Sequence, residues 1–186
     1  EEMDLDGFYK ELDETMDLVK DQLIERFNFQ CTKKKYNFPF LFGQGVWIDS
    51  EKLDFNDDVT PILRNGTLTI GFIGLAECLK ALINSHHGET EEARKLGFEI
   101  IKHMRERCDN YAQEYKLNIT LIATPAEGLS GRFTQIDRSI YGTIEGITDK
   151  EYYTNSFHVP VYYNISIVDK IKIEGPYHTL TNGGHI

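Results

Sequence analysis

An α/β fold with parallel strands is predicted from three features of the chain. Apolar, strand-like runs stand at 66–72 and 118–123. Two stretches with helical spacing, 73–83 and 90–115, lie between them. A strand–helix–helix–strand order is a crossover unit, the connection that parallel pairing requires. The second run, Ile119-Thr120-Leu121-Ile122-Ala123, is bounded by turn signals, as expected of a strand covered on both faces.

The first helix is predicted over 4–29. Leu5, Phe8, Leu12, Met16, Val19, Leu23 and Phe27 recur at steps of three and four and mark one apolar stripe. The acidic beginning suits the positive end of the helix dipole. The segment NFPFLFGQGVW (37–47) carries Phe38, Phe40, Phe42 and Trp47, with Pro39, Gly43 and Gly45 breaking regularity. It predicts a short buried strand and a turn with the aromatics in the core. A loop with a short helix follows over 49–65.

Leu75, Ala76, Leu79 and Leu82 give the next helix its core face, and Gly71 and Gly74 mark the strand-to-helix turn. Their spacing is not a dinucleotide-binding fingerprint. Adjacent His86 and His87 lack the spacing of a metal site. Thr90 is a suitable cap for the long helix, with Glu91 and Glu92 in its first turn. The stripe Ala93, Leu96, Ile100, Met104, Cys108, Tyr111, Tyr115 places Cys108 in the core, and His103 falls off it, at the surface.

The stretch 117–133, LNITLIATPAEGLSGRF, carries the main candidate site. The strand breaks at Thr124-Pro125 into an expected loop bearing Glu127, Gly128, Ser130, Gly131 and Arg132. Loops at the carboxyl ends of such strands hold ligands in α/β proteins. Glycines permit close backbone approach, and Arg132 offers a planar fork of donors for carboxylate or phosphate. The same residues also suit a tight surface turn whose arginine pairs with a neighbouring carboxylate. Beyond Phe133, 136–146 reads as mostly loop, 161–167 as strand or irregular, and 171–174 as alternating. Asn155, His158, Tyr177, His178 and Asn182 place polar heads between apolar anchors, a pattern of sites on strand ends and equally of loops with buried backbone.

At 186 residues the chain reads as a single domain, 1–186. A net charge of −10 leaves no basic surface for nucleic acid, and no apolar run reaches the length of a membrane span. Cys31, Cys78 and Cys108 are scattered, which argues against disulfides and a zinc site and for a reducing cytoplasm. The chain opens without methionine and stops at Gly183-Gly184-His185-Ile186 as if entering another strand, so a piece of a longer polypeptide is expected.

Six strings carry a resemblance to a known family: GQGVWIDSEKL (43–53), GTLTIGFIGLAECLKAL (66–82), HHGE (86–89), LNITLIATPAEGLSGRF (117–133), TDKEYYTNSFHVPVYY (148–163) and PYHTLTNGGHI (176–186). The chain resembles the anaerobic, class III ribonucleoside-triphosphate reductases over nearly everything after Phe38. Asn84-Ser85 and Gly183 are minor departures. The resemblance implies part of the second half of a ten-stranded α/β barrel in a glycyl-radical enzyme. It implies a radical glycine, a thiyl cysteine that abstracts the ribose 3′ hydrogen, loss of the 2′ hydroxyl as water, and formate or a thiol as reductant. It also implies a four-cysteine structural zinc, nucleotide effectors, a homodimer, and an activating enzyme using S-adenosylmethionine and an iron–sulfur cluster. None of the three cysteines here matches that machinery, so the piece alone is expected to be inactive. Its expected share is pocket wall: Thr124, Glu127, Ser130, Gly131 and Arg132 near the nucleotide, with Asn155, His158 and Asn182 beside them. Another glycyl-radical lyase and a non-catalytic nucleotide-binding half-barrel are the alternatives.

Overall fold

The computed structural model describes residues 4–184. Helix α1, Leu5–Cys31, starts where the Asp4 side chain accepts the Gly7 N–H at 2.8 Å. Its stripe, with Met16 fully buried and Phe8, Leu12, Val19 and Leu23 around it, joins the main core. Its charged side is tied to helix α4 (Glu91–Tyr115) by Asp13–His103 at 2.6 Å and by Arg107 to Asp13 and Asp17 at 3.1 and 2.9 Å. His103 is therefore not a free surface residue; it bridges two helices and stands edge-on to Tyr9.

The short strand expected over 37–47 is absent. A 3-10 turn at Lys35–Asn37 runs into successive turns, in which Phe38 O accepts the N–H groups of both Phe42 and Gly43. Pro39 and Gly43 favour that compaction, because a Cβ at Gly43 would stand 2.2 Å from Pro39 O. Phe42 does become core, stacked on Trp47 and packed with Val59 and Ile62 of the second apolar cluster, whereas Phe40 is exposed. Helix α2, Thr60–Leu63, is the expected short helix.

Strand β1, Thr67–Phe72, helix α3, Leu75–Ile83, α4 and strand β2, Asn118–Ala123, form the predicted crossover. β1 and β2 pair in parallel with Thr67 opposite Asn118 and Phe72 opposite Ala123. Ile70, Ile119 and Leu121 from the strands meet Leu75 and Leu79 from α3 and Ile100, Met104 and Cys108 from α4 in one core. The Thr90 side chain accepts the Ala93 N–H at 3.2 Å. Thr90→Ala should cost about 1 kcal/mol, read as faster hydrogen exchange in the first turn of α4.

Residues 182–184 run along the other edge of β2. Gly183 O accepts the Ala123 N–H at 3.0 Å, and Gly184 bridges Ala123 in parallel. The strand expected at the carboxyl end begins to pair there, and its His185 and Ile186 lie outside the described residues.

Two readings are overturned, one of a loop and one of an alternating stretch. Residues 127–141, read as a glycine-rich loop and the start of another, form helix α5, Glu127–Tyr141. Leu129, Phe133, Ile136 and Ile140 follow helical spacing, and what offsets the roughly 1 kcal/mol cost of Gly131 inside the helix is the other face, where Ser130 and Thr134 are buried and Asp137 and Arg138 bond to the 148–153 segment. The stripe is exposed. Residues 171–174, which alternate like a strand, belong to helix α6, Ile167–Glu174, capped by Ser166 onto Asp169 N–H. Between the two, 161–165 is irregular.

Candidate functional site

The site is built where the carboxyl ends of β1 and β2 meet the segment 153–158. After β1, Gly74 takes a left-handed φ of +80°, which turns the chain into α3. Its N–H donates to Thr154 O at 2.7 Å, and Ile73 forms an antiparallel bridge with Asn155. After β2, Thr124-Pro125-Ala126 leads into α5. The Ala126 N–H donates to Asn155 Oδ1 at 3.2 Å. Asn155 thus joins the end of one strand to the helix that follows the other.

The start of α5 has no side-chain cap. Among the described residues, the N–H groups of Glu127, Gly128 and Leu129 have no acceptor, the usual condition of an open helix N-terminus. Thr124 Oγ1 is buried with no hydrogen-bond partner among the described residues, turned toward Gly71, where a Cβ would meet it at 1.8 Å. Glu127 and Arg132 are exposed, and among the described residues Arg132 has no hydrogen bond or ion pair.

Ser130 and Gly131 have other work. Ser130 is buried and its hydroxyl donates back to Glu127 O at 3.0 Å. Gly131 faces Glu151 O across the α5 interface, where a Cβ would make ordinary contact at 3.4 Å. Arg138 of α5 donates to the carbonyls of Thr148 and Lys150, and Tyr153 OH donates to Asp137 at 2.7 Å. These bonds hold α5 and the 148–154 segment as one piece.

A cleft of about 580 Å³ opens beside that piece, lined by Tyr152, Thr154, Asn155, His158 and Tyr162 with Lys150 and Lys170. Lys170 pairs with Glu174 at 2.8 Å, and His158 Nδ1 lies 3.5 Å from the same carboxyl oxygen. Burial alone would raise the Glu174 pKa. Bonds from His158, Lys170 and the Val159 N–H outweigh it and bring the carboxyl down to about 2. His158 is therefore oriented by a carboxylate while its ring borders the cleft.

Of the residues singled out by sequence, Asn155 and His158 border the cleft, and Thr124 shares the strand ends with Asn155. Glu127 and Arg132 flank the helix start. Asn182 stands apart on the far edge of β2, where its Oδ1 accepts the Leu121 N–H at 3.1 Å and its own N–H donates to Leu121 O. It substitutes for a strand residue. Sequence reasoning missed Glu77, Lys150, Lys170 and Tyr162. Glu77 left a readable signal, a lone acid in the first turn of α3 among Leu75, Ala76 and Leu79.

The histidine pair has structural roles. His87 is fully buried with Nε2 2.9 Å from Phe157 O, and burial pushes its pKa down to about 4. His86 Nδ1 accepts the Gly88 N–H, and its ring stands edge-on to Tyr163. Cys108 is a core residue and Cys78 packs half-buried against the same core, and burial pushes the Cys78 and Cys108 thiols up to about 12 and about 11. No group of three His, Cys, Asp or Glu among the described residues could hold a metal, so the residues present do not fit a zinc site. No helix among them is long and apolar enough to cross a membrane.

Comparison with known proteins gives one family. The family model described as anaerobic ribonucleoside-triphosphate reductase matches residues 1–186. The Escherichia coli protein of that name is 36% identical over 182 residues, 96% of this chain and 25% of the relative. That of enterobacteria phage T4 is 34% identical over 181 residues, 96% of this chain and 28% of the relative. The anaerobic ribonucleotide reductase from Thermotoga maritima, solved with dATP bound in the specificity site, superposes with a TM-score of 0.59 at 20% identity, covering 91% of this chain and 28% of that one. The chain spans about a quarter of the length of these relatives. On a match that runs from its first residue to its last, this chain belongs to the anaerobic ribonucleoside-triphosphate reductase family.

Proposed function

We propose that this chain is part of the catalytic barrel of a reductase that converts ribonucleoside triphosphates to deoxyribonucleoside triphosphates by radical 2′-deoxygenation. It contributes, as one folding unit, a wall of the nucleotide pocket. The observation that supports this most is the Asn155–Ala126 bond, which draws both strand ends, the open start of α5 and the 580 Å³ cleft into one place. Free N–H groups at a helix start, with Arg132 further along the same helix, are donors suited to phosphate. Asn155 spends its oxygen on Ala126 and keeps its amide N–H groups for a ligand. Thr124 stands at the same strand end with its hydroxyl turned toward Gly71, and Glu127 supplies an acceptor suited to a ribose hydroxyl. Ser130 acts by seating α5, Gly131 lies on the face of α5 toward Glu151, and Asn182 extends the sheet.

In this reading the radical glycine, the thiyl cysteine and the zinc-binding cysteines lie on other parts of the longer polypeptide. The full-length enzyme is a cytoplasmic homodimer that takes nucleotide effectors and is activated by a partner that uses S-adenosylmethionine and an iron–sulfur cluster. Arg132→Ala in the full-length enzyme should raise KM for the ribonucleoside triphosphate about tenfold with kcat little changed, the mark of lost ground-state binding. An unchanged KM removes Arg132 from the pocket.

A further inference from the structure

Glu77 sits in the first turn of α3 with only 5% of its surface exposed. Its neighbours Leu75, Ala76 and Leu79 are buried apolar residues. One carboxyl oxygen, Oε1, accepts two bonds from a single residue: the Thr154 N–H at 3.0 Å and the Thr154 hydroxyl at 2.7 Å. Thr154 O in turn accepts the Gly74 N–H, so the start of α3 holds Thr154 by three bonds. Oε2 is buried with no partner among the described residues. Burying a carboxyl with half its bonding capacity unused is costly, and an apolar side chain would fill the same space more cheaply.

The cost has a counterpart in what Thr154 carries. Asn155 follows it directly, bridges Ile73 at the end of β1, and accepts the Ala126 N–H at the threshold of α5. A shift of Thr154 moves Asn155, and with it the open N–H groups of α5. We propose that Glu77 is a positioning residue for the nucleotide pocket, fixing through Thr154 and Asn155 the register between the 153–156 segment and the start of α5. The proposal rests on the assignment of that place as nucleotide pocket. Glu77 touches no ligand in this scheme and acts through the two residues it holds.

The test uses the full-length enzyme and steady-state kinetics with the ribonucleoside triphosphate. Glu77→Leu removes the acceptor and should raise KM about tenfold with kcat within about threefold, as expected for losing bonds to a charged group. Glu77→Gln keeps an acceptor oxygen and should restore most of the KM. Thr154→Val keeps the shape, loses the hydroxyl donor, and should move KM in the same direction as Glu77→Leu. Because Glu77 and Asn155 act on one link, Glu77→Leu combined with Asn155→Ala should raise KM no further than the larger single change. A Glu77→Leu enzyme with wild-type KM, or a double variant whose effects multiply, overturns the proposal while Asn155→Ala still moves KM. Should Glu77→Leu fail to fold, a wild-type KM in Thr154→Val overturns it instead. If Asn155→Ala and Arg132→Ala both leave KM unchanged, the pocket assignment falls and takes this proposal with it.

Discussion

Phe157→Ala is expected to destabilise the region around β1 and the 153–159 segment by about 3–5 kcal/mol, the range for emptying a fully buried aromatic site. Phe157 is completely buried. Its ring stacks on Tyr177 with centroids 5.2 Å apart, meets His178 edge-on at 5.1 Å and lies 6.3 Å from Phe72. Few of these neighbours can collapse into the space. Tyr177 is held by its hydroxyl on Arg94 O and by the slot that Gly97 opens beside it, where a Cβ would come within 2.8 Å of the hydroxyl. The cavity therefore persists. Phe157→Leu should lose roughly half as much, because it keeps part of the volume. Hydrogen exchange of the β1 and β2 amides reads both values as free energies of opening. A loss below about 1 kcal/mol for alanine would mean the pocket refills by rearrangement.

Acid should weaken the fold through His87. In the folded chain its pKa is about 4, against 6.5 for the ordinary side chain, because burial disfavours the charged ring. The unfolded chain therefore binds a proton that the folded chain refuses. The contribution is fully present above pH 6.5 and is lost as pH falls toward 4, at a total of about 3 kcal/mol. His86 is also shifted down, by burial against the opposing pull of Glu89, and adds loss of the same sign. Glu174 works in a separate window, between its ordinary 4.5 and its folded value of about 2, where falling pH removes its stabilisation in turn. His87→Gln can still donate to Phe157 O and carries no titrating ring. Exchange protection compared at pH 7 and pH 5, corrected for intrinsic rates, should fall less in this variant than in the parent. A His87 ring signal that titrates near 6.5 by NMR would contradict the assignment.

The crossover was legible because its elements obey one period each. In α4 the stripe positions Ala93, Ile100, Met104, Cys108 and Tyr111 are buried and Leu96 packs half-buried beside them, so Cys108 is core as its place on the stripe required. β2 was expected to be covered on both faces, but only the face of Ile119, Leu121 and Ala123 is fully buried, while Thr120 and Ile122 on the other are half-buried. α5 was hidden by its own glycines. Pro125, Gly128 and Gly131 signal a loop locally, while the helical spacing of Leu129, Phe133, Ile136 and Ile140 shows only in a longer window. That stripe is solvent-exposed in this chain, so no inward packing partner could have announced it either.

The candidate site was partly readable for a related reason. Asn155 and His158 stand out as polar heads between apolar residues, and both border the cleft. Asn182 stood out equally, and its amide oxygen accepts the Leu121 N–H, because a side-chain amide suited to a ligand also matches a peptide group. Lys150 and Lys170 could not be told from ordinary surface lysines. Their partners, Asp149 next door and Glu174 one helical turn away, follow only once α6 is known to be a helix.

The parallel register between β1 and β2 also has a consequence in time. Thr69 lies opposite Thr120, 51 residues later in the chain. A ribosome adding about 5–20 residues per second needs roughly 3–10 s to supply that partner. Through this interval the edge of β1 that β2 will occupy stays open, a condition that invites pairing with other chains. α1 is synthesised first, packs on β1, and joins Leu68 and Ile70 in the same core. The face of β1 that is most prone to stick can thus be covered before its edge is satisfied, and Thr67, Thr69 and Gly71 leave little apolar surface on the other. The long first helix serves the nascent chain as a temporary lining, before β2 exists to complete the sheet.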